Sequence, residues 1–420
     1  MSGLSFAARE RWSTTALRHP VRTLLAVYVV SRLVAFAAIW VAARYYQAPA
    51  GVGHLDPTLT DMLQLWDAEW YERIVREGYP VPLPADPTTG QITYSQWAFF
   101  PVFPLLVRLL MTTGLGFTTA AVLLNLVLGA LAVVLVWKVL SFPVHAGSQP
   151  ARERLALVAA ALWCLYPATG VMVLPYTEAL AACLIAGALL LLMRRQYLAF
   201  AVVALVLGYT RAVAPALGLA VLVHLWLRWR EDRAAGTAPL RHDRPQVVVM
   251  LLATALSAVA WPLTVGYVSG LPGAFFDVQA AWGQRPDQGP FVLWFSWAWG
   301  EHGLISVLVM VALVATYVAL VIGRHGAWMP LEVRMWAMAY PLYLFAVVRP
   351  ITSMWRFLLL DFPLAALVAS VAMRTSTGRE VVRPAAVRPV ARHTPVSTGD
   401  GERRAHVGLG VIRIAWDNGG

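Results

Sequence analysis

The sequence predicts an all-α membrane protein that crosses the bilayer several times, and two observations support this prediction. The 420-residue chain is 59% hydrophobic and only 13% charged, and its mean hydropathy is +0.63. Its apolar residues fall in near-continuous runs of about 17 to 25 residues, the length that a helix needs to cross a bilayer. A single soluble core cannot bury so much apolar surface, whereas a polytopic bundle leaves much of it in contact with lipid.

The first predicted span covers about residues 24–43 and follows an arginine-rich N-terminus. The apolar run is too long for the core of a signal peptide, and no small-residue cleavage pattern follows it closely, so we expect a retained span. Its positive flank predicts a cytoplasmic N-terminus. Residues 44–98 hold three Lys or Arg against seven Asp or Glu, which predicts a long first outer loop.

Residues 99–116 are apolar but make a poor span, because Pro101, Pro104 and Arg108 interrupt them. We expect this segment to be interfacial or re-entrant. Further spans are predicted at residues 117–141, 155–174, 178–193, 198–210, 212–227, 246–268, 303–322, 332–348 and 356–373. The connections that carry Lys and Arg fall on alternate turns, which predicts about ten spans, a second outer loop at residues 269–302 and two cytoplasmic termini.

Residues 374–420 are predicted to form a disordered cytoplasmic tail, since they hold eight Arg against four acidic residues and few apolar ones. The net charge of +11 would favour nucleic-acid binding in a soluble domain. Here the arginines gather at span ends and in the tails, so we predict contact with anionic membrane lipids and no nucleic-acid partner. Cys164 and Cys183 lie inside apolar runs and are expected to be core residues rather than disulfide partners or metal ligands.

The run Trp66-Asp67-Ala68-Glu69-Trp70-Tyr71 lies in the first outer loop. Its aromatic residues form an amphipathic face that would hold the acid at a fixed depth in the interface, and aromatic faces also stack on sugar rings. We therefore predict that Asp67 is the catalytic residue, and that Trp66, Glu69, Trp70 and Tyr71 contact substrate. The alternative is that Asp67 caps a helix or is solvated.

Charged residues at membrane depth are the second signal, because it is costly to bury a charge in the bilayer. Arg108, Glu178, Arg211 and Arg356 lie in or beside apolar segments and are candidate substrate-binding residues. On the predicted topology the last three fall near the outer ends of their spans, where they would converge beneath the first outer loop. Arginine suits a lipid phosphate because its guanidinium group binds two oxygens at once. The alternative for each arginine is snorkelling to the interface or pairing with a carboxylate.

A carboxylate at the membrane surface with arginines behind it predicts group transfer from a phosphorylated lipid. An attacking hydroxyl would lose its proton to Asp67, and arginine would stabilise the departing phosphate without a metal. The sequence contains no Gly-rich phosphate loop, nucleophile elbow or His-Glu-x-x-His zinc motif. No metal ligand is predicted, and the sequence leaves open whether a divalent cation assists.

Several short motifs lie in a characteristic order between residues 31 and 363. They are Ser31-Arg32, Trp66-Asp67 with Tyr71 and Gly78-Tyr79, Phe99-Phe100-Pro101-Val102-Phe103-Pro104, Tyr176-Thr177-Glu178, Thr210-Arg211, Gln279 with Trp282-Gly283, Arg356-Phe357 and Asp361-Phe362-Pro363. In this combination and order, the chain resembles the phosphatidylinositol-glycan class V family. That family holds the second mannosyltransferase of GPI-anchor assembly and its prokaryotic relatives, and belongs to the C-type glycosyltransferase superfamily.

The resemblance implies a C-type glycosyltransferase fold over residues 1–373 that transfers mannose, with inversion, from a polyprenyl-phosphate-mannose donor on the outer face of the cell membrane. It places the catalytic acid at Asp67 and adds Gln279 to the substrate-binding residues. The Arg- and Ala-rich, Lys-poor composition indicates a high-GC bacterial source, so the expected acceptor is a lipid, glycan or protein of the cell envelope. Two other classes stay open: a transporter or flippase of a lipid-linked sugar, and a non-catalytic scaffold.

Overall fold

A computed structural model describes residues 16–46, 57–143, 149–238, 240, 243–284 and 288–376. Within these ranges the chain is helical and has no β-strand, although an isolated β-bridge joins Ala85 to Ile92. The all-α prediction is therefore confirmed for this part of the chain. The predicted tail lies outside the described residues, apart from positions 374–376, which end the last helix.

The described ranges contain the following α-helices. In order they are α1 (Pro20–Val41), α2 (Leu59–Leu63), α3 (Asp67–Glu77), α4 (Val102–Met111), α5 (Phe117–Leu140), α6 (Gln149–Cys164), α7 (Glu178–Met193), α8 (Tyr197–Gly208), α9 (Leu217–Ala234), α10 (Arg244–Ser269), α11 (Ala274–Ala281), α12 (Val292–His302), α13 (Leu304–Ile322), α14 (Leu331–Val347), α15 (Met354–Phe357) and α16 (Pro363–Ser376). Short 3₁₀ turns cover Gln96–Ala98, Pro167–Val173, Ala214–Ala216 and Leu358–Leu360.

Four of these helices are long and apolar enough to cross a membrane: α1 with its π-helical extension, α5, α10 and α13. The number rises to six if each of two bent helix pairs in the described ranges counts as one span. The chain therefore has the features of a multi-pass helical membrane protein. Helices α7, α8 and α14 coincide with predicted spans but have only 16, 12 and 17 residues, so the count of about ten spans stays a prediction.

Two segments that the sequence predicts as single spans are broken in the structure. Helix α6 ends at Cys164 and the chain bends by 70° into the turn Pro167–Val173. The segment Met354–Leu360 bends by 82° into the helix that begins at Pro363. In both cases proline opens the second piece, because it has no N–H group to continue the preceding helix but fits a first helical turn. Arg32 bonds across the first break, since its guanidinium donates to the Thr169 backbone oxygen at 2.6 Å.

Helix α7 lies at the centre of the main hydrophobic core and is buried on nearly all of its faces. It packs against α5 and α8 in particular. An all-round apolar helix is expected in such a position. Because Glu178 is the first residue of α7, the packing of this helix fixes a carboxylate deep inside the protein.

Helix α8 crosses α10 closely at Gly208, the last residue of α8. A Cβ atom there would collide with the backbone of Ser257 on α10, so only glycine permits this approach. The chain leaves α8 directly after this crossing, through Tyr209 and Thr210 to Arg211. The position of Arg211 is therefore fixed by a backbone-to-backbone contact.

The described part of residues 44–98, the predicted first outer loop, packs against the helices. Its helix α3 rests on α4 and α5 through an aromatic and aliphatic cluster that includes Tyr71, Phe103 and Phe117. A second cluster, with Trp97 and Trp261 at its centre, joins the end of the loop to α10 and α11. Helix α4 has 10 residues and is too short to cross a bilayer. These contacts hold the acidic end of α3 against the bundle.

Candidate functional site

Four charged side chains from distant parts of the chain meet at the start of helix α3. Arg356 Nη2 lies 2.7 Å from Asp67 Oδ2, and Arg356 Nε lies 3.7 Å from Glu178 Oε1. Arg211 Nη1 lies 3.2 Å from the same Glu178 oxygen. We call these four residues the charge cluster. Its two acids and two arginines have a formal net charge of zero, which is the condition for holding buried charges at tolerable cost.

Asp67 owes its position to the start of α3. It is the first residue of that helix, and Trp66 before it has a φ of 57°, which bulky residues rarely adopt. The Trp66 side chain is 68% exposed, whereas the Asp67 side chain is only 22% exposed. The unusual turn at Trp66 thus directs two adjacent side chains to different surroundings, and such outliers concentrate at functional sites.

Glu178 is fully buried, and neither of its carboxylate oxygens has a hydrogen-bond partner among the described residues. The nearby Arg211 Nη1 donates instead to Thr177 Oγ1 at 2.8 Å. Arg356 Nε is likewise buried without a hydrogen bond. Ion pairing alone therefore compensates Glu178, and the cluster retains polar atoms that are free to accept or donate a bond.

Both arginines of the charge cluster lie over aromatic rings. The guanidinium carbon of Arg356 is 5.0 Å from the ring centre of Tyr176 and 5.2 Å from that of Phe357. That of Arg211 is 5.0 Å from the Phe357 ring. Tyr176 is itself anchored, since its hydroxyl donates to the Leu65 backbone oxygen at 3.2 Å. Cation–π contacts of this kind orient the planar groups and leave their edges available to bind an anion.

Burial raises the pKa of the Asp67 carboxyl group above its usual range. The charge and hydrogen bond of Arg356 oppose this shift, and the charge of Glu178 adds to it. The net effect is a carboxylate that is more basic than an exposed aspartate. A base of higher pKa takes a proton more readily, provided that the surrounding pH keeps it ionised.

Two cavities meet at the ion pair between Asp67 and Arg356. The first, of about 560 Å³, is mostly apolar and also holds Arg211 and Arg349; we call it the arginine cavity. The second, of about 720 Å³, is lined by tryptophans and Glu69; we call it the tryptophan cavity. Its tryptophans are Trp66, Trp70, Trp282 and Trp355, of which Trp282 also lines the arginine cavity. A reaction at Asp67 would therefore have access from two differently built chambers.

The structure brings most of the predicted site residues to these cavities. Tyr71, Arg211 and Gln279 line the arginine cavity, and Trp66, Glu69 and Trp70 line the tryptophan cavity. Asp67 and Arg356 line both, whereas Glu178 lies behind the cavity walls. Arg108 is exposed on α4 and lines neither cavity, so the structure does not bring it to the charge cluster.

Several residues at the site were not predicted from the sequence as site residues. Tyr176 and Thr177 were quoted only as part of the motif Tyr176-Thr177-Glu178, although a polar pair directly before a buried acid is a signal that could have identified them. Arg349 and Trp355 lie near chain positions where spans end, a common place for Arg and Trp in any membrane protein, so their types carried no specific signal. Asp361, although part of a quoted motif, accepts a hydrogen bond from Tyr317 at 2.6 Å and does not join the cluster.

Within the described ranges, no group of three or more His, Cys, Asp or Glu side chains is placed to hold a metal ion. The two acids of the charge cluster are each paired with arginine instead.

Comparisons with known proteins add no identification. No protein-family model matches the chain, and no curated protein is significantly similar to it in sequence. The resemblance of its motifs to the class V mannosyltransferases therefore stays a prediction.

Proposed function

We propose that the protein is a membrane glycosyltransferase. It moves mannose from a polyprenyl-phosphate-mannose donor to a cell-envelope acceptor on the outer face of the membrane, with Asp67 as general base. The observation that carries this proposal is the position of Asp67 and Arg356 at the junction of two cavities of different chemistry. The identity of the sugar and the lipid carrier rests on the motif resemblance.

The reaction needs one base and one stabiliser of negative charge. The acceptor hydroxyl attacks the anomeric carbon of mannose, a new C–O bond forms, and the bond from that carbon to the phosphate oxygen breaks. The hydroxyl proton passes to Asp67, and the lipid phosphate leaves with the electron pair of the broken bond. Arg211 and Arg356 offset its charge. A single displacement of this kind inverts the anomeric configuration.

The lining of each cavity suits one substrate. The arginine cavity combines guanidinium groups with apolar residues such as Phe276 and Val347, as a lipid phosphate requires. The tryptophan cavity offers flat aromatic faces, which stack on sugar rings, together with the carboxylate of Glu69. In the proposal the donor occupies the arginine cavity, the acceptor occupies the tryptophan cavity, and Asp67 lies between them.

Arg356 then has two successive partners. In the structure it is bonded to Asp67 and thereby weakens that base. A donor phosphate in the arginine cavity would compete for the same guanidinium group. We therefore expect the donor to bind before the acceptor hydroxyl can be activated.

The direct test is a transfer assay with purified protein, radiolabelled polyprenyl-phosphate-mannose and a membrane extract as the acceptor source. The proposal predicts a new labelled product and an equal amount of released polyprenyl phosphate. Movement of the intact donor across a vesicle bilayer, with no new product, would instead favour a transporter.

The pH dependence of transfer is a further prediction, because the base must be ionised to work. As pH falls through the pKa of Asp67, kcat/KM should fall with it. Since burial raises that pKa, the loss should occur at a higher pH than an exposed aspartate would give. Initial rates measured between about pH 4 and pH 8 test this. A rate that stays constant down to the usual aspartate range would contradict the role of Asp67.

The membrane orientation is also testable. The charge bias predicts that Thr88 is outside and Ser397, which is not among the described residues, is inside. Both native cysteines are buried, so an introduced one can be labelled selectively. In intact cells an impermeant thiol reagent should modify Thr88→Cys but not Ser397→Cys, and permeabilised cells should allow both. The reverse pattern in intact cells would overturn the topology.

A further inference from the structure

The three arginines of the arginine cavity differ in whether a carboxylate pairs with them. Arg211 and Arg356 are each paired with a carboxylate of the charge cluster, at 3.2 and 2.7 Å. Arg349 also lines this cavity, and no carboxylate of the described ranges lies within 4 Å of its guanidinium group. Among the described residues, the excess positive charge of the cavity therefore belongs to Arg349.

Arg349 is held by its backbone on two sides. It follows the end of α14, and its backbone N–H donates to Gln284 Oε1 at 3.0 Å. The preceding residue, Val348, accepts a hydrogen bond from Trp294 Nε1 at 2.6 Å. Thus Gln284 and Trp294, both in the predicted second outer loop, hold the backbone at Arg349 by hydrogen bonds.

The side chain of Arg349 lies against Gly283. The turn after α11 has the two hydrogen bonds of a Schellman motif, from Gly283 N to Ala280 O at 2.8 Å and from Gln284 N to Gln279 O at 3.1 Å. Gly283 has the left-handed φ of +78° that this motif requires. A Cβ atom on Gly283 would lie 2.7 Å from Arg349 Nη1 and 2.8 Å from Arg349 Cζ. A side chain on Gly283 would therefore force the guanidinium group away from this position.

We infer that Arg349 is a third phosphate-binding residue, which captures the lipid-linked phosphate of the donor, and that Gly283 and Gln284 position it for this task. This inference rests on the proposed function for the identity of the donor. Two partly neutralised arginines attract an anion weakly, whereas an uncompensated guanidinium attracts it from a distance and then binds two of its oxygens. Arg349 is also exposed, so it can meet the phosphate before the charge cluster does.

Binding of a short-chain lipid phosphate to the purified full-length protein tests this inference. The probe is citronellyl phosphate, and its Kd is measured by calorimetry at low and high salt. Arg349→Gln should weaken binding by about 10- to 100-fold, the usual effect of losing a charge-assisted hydrogen bond. It should also reduce the salt dependence. Arg349→Lys keeps the charge but loses the planar fork, so its Kd should lie between those of the wild type and Arg349→Gln.

Gly283→Ala tests how Arg349 is positioned. The added methyl group would lie too close to the guanidinium group, so the Arg349 side chain must shift from its position, and this variant should bind citronellyl phosphate more weakly than the wild type but no more weakly than Arg349→Gln. The double variant should bind as weakly as Arg349→Gln, because no guanidinium group is left to displace. Gly270→Ala is the matched control, because Gly270 has a similar φ of +71° in the same outer loop but nothing within 4 Å of the place where the new methyl group would lie. It should keep the wild-type Kd, and it reports any effect of backbone strain alone.

The outcomes separate this inference from the proposed function. Unchanged Kd in Arg349→Gln overturns the inference, even if mannose transfer is observed. Weakened binding in Arg349→Gln supports it, even if the protein transfers no mannose. Inorganic phosphate serves as a second probe: if it binds as tightly as citronellyl phosphate and with the same dependence on Arg349, the site takes free phosphate and the lipid assignment is wrong. Thermal melting of each variant identifies loss of fold, and in that case Arg349→Lys decides by its Kd.

Discussion

Replacing Asp67 by Asn should reduce turnover by at least 10²-fold while donor binding survives. Asparagine keeps the size of the side chain and an oxygen that can accept the hydrogen bond from Arg356, but it cannot take up the acceptor proton. General-base assistance is typically worth about 10² to 10⁴ in rate, which sets the expected loss. The measurement is initial rates of mannose transfer with donor concentration varied, so that kcat and donor KM are obtained separately.

Glu69→Gln is the matched control for this substitution. Glu69 lies on the same helix and lines the tryptophan cavity, but it is exposed and makes no ion pair with the cluster arginines. It should therefore reduce turnover much less than Asp67→Asn. If Asp67→Asn transferred mannose at near the original rate, Asp67 would be structural and another carboxylate would have to act as the base.

Replacing Arg356 by Lys is expected to have the second-largest effect. The ammonium group keeps the positive charge, but it cannot contact Asp67, approach Glu178 and lie flat on Tyr176 at once, as the guanidinium does. Donor KM should rise by about 10- to 100-fold, because the bidentate bond to phosphate is lost. Lysine is preferred to a neutral residue, since removing the charge would leave two carboxylates facing one arginine and would destabilise the fold by about 3 to 5 kcal/mol.

Arg211→Lys should act in the same direction but less strongly. Arg211 contacts Glu178 and Thr177 and does not reach Asp67 in the structure. Arg108→Lys is the control, because Arg108 is exposed on α4 and lines neither cavity. If donor KM were unchanged in both Arg211→Lys and Arg356→Lys, these arginines would have a structural role and would not bind the donor.

The all-helical class with several apolar helices was predictable from the sequence because it depends on the length and composition of apolar runs. The convergence of Glu178, Arg211 and Arg356 was also predictable, since the alternating charge bias places their spans' ends on one side. That placement brings Arg356 to the same side as Asp67, but it does not predict contact between them. The 2.7 Å ion pair depends on the bend before Pro363 and on the turn at Trp66, and neither leaves a clear signal in the hydropathy pattern.

The second cavity and the third arginine were not predictable from the sequence. The tryptophan cavity is assembled from four separate segments, which carry Trp66, Tyr176, Trp282 and Trp355. Hydropathy and charge bias predict which end of each segment lies on which side of the bilayer. They do not predict which segments pack side by side. For the same reason, the contact between Arg349 and Gly283 could not be predicted, although the Trp282-Gly283 pair itself was among the family-like motifs.

A structure of the protein with a non-transferable donor would show whether Asp67 lies beside the reacting carbon. The suitable ligand is a phosphonate analogue of citronellyl-phosphate-mannose, in which carbon replaces the oxygen of the bond that breaks. We expect the phosphonate to lie in the arginine cavity in contact with Arg211 and Arg356. The anomeric carbon should lie within roughly 7 Å of the Asp67 carboxylate, which leaves room for one hydroxyl between them. An analogue bound outside the arginine cavity, or bound with its anomeric carbon facing away from Asp67, would contradict the role of Asp67 as general base.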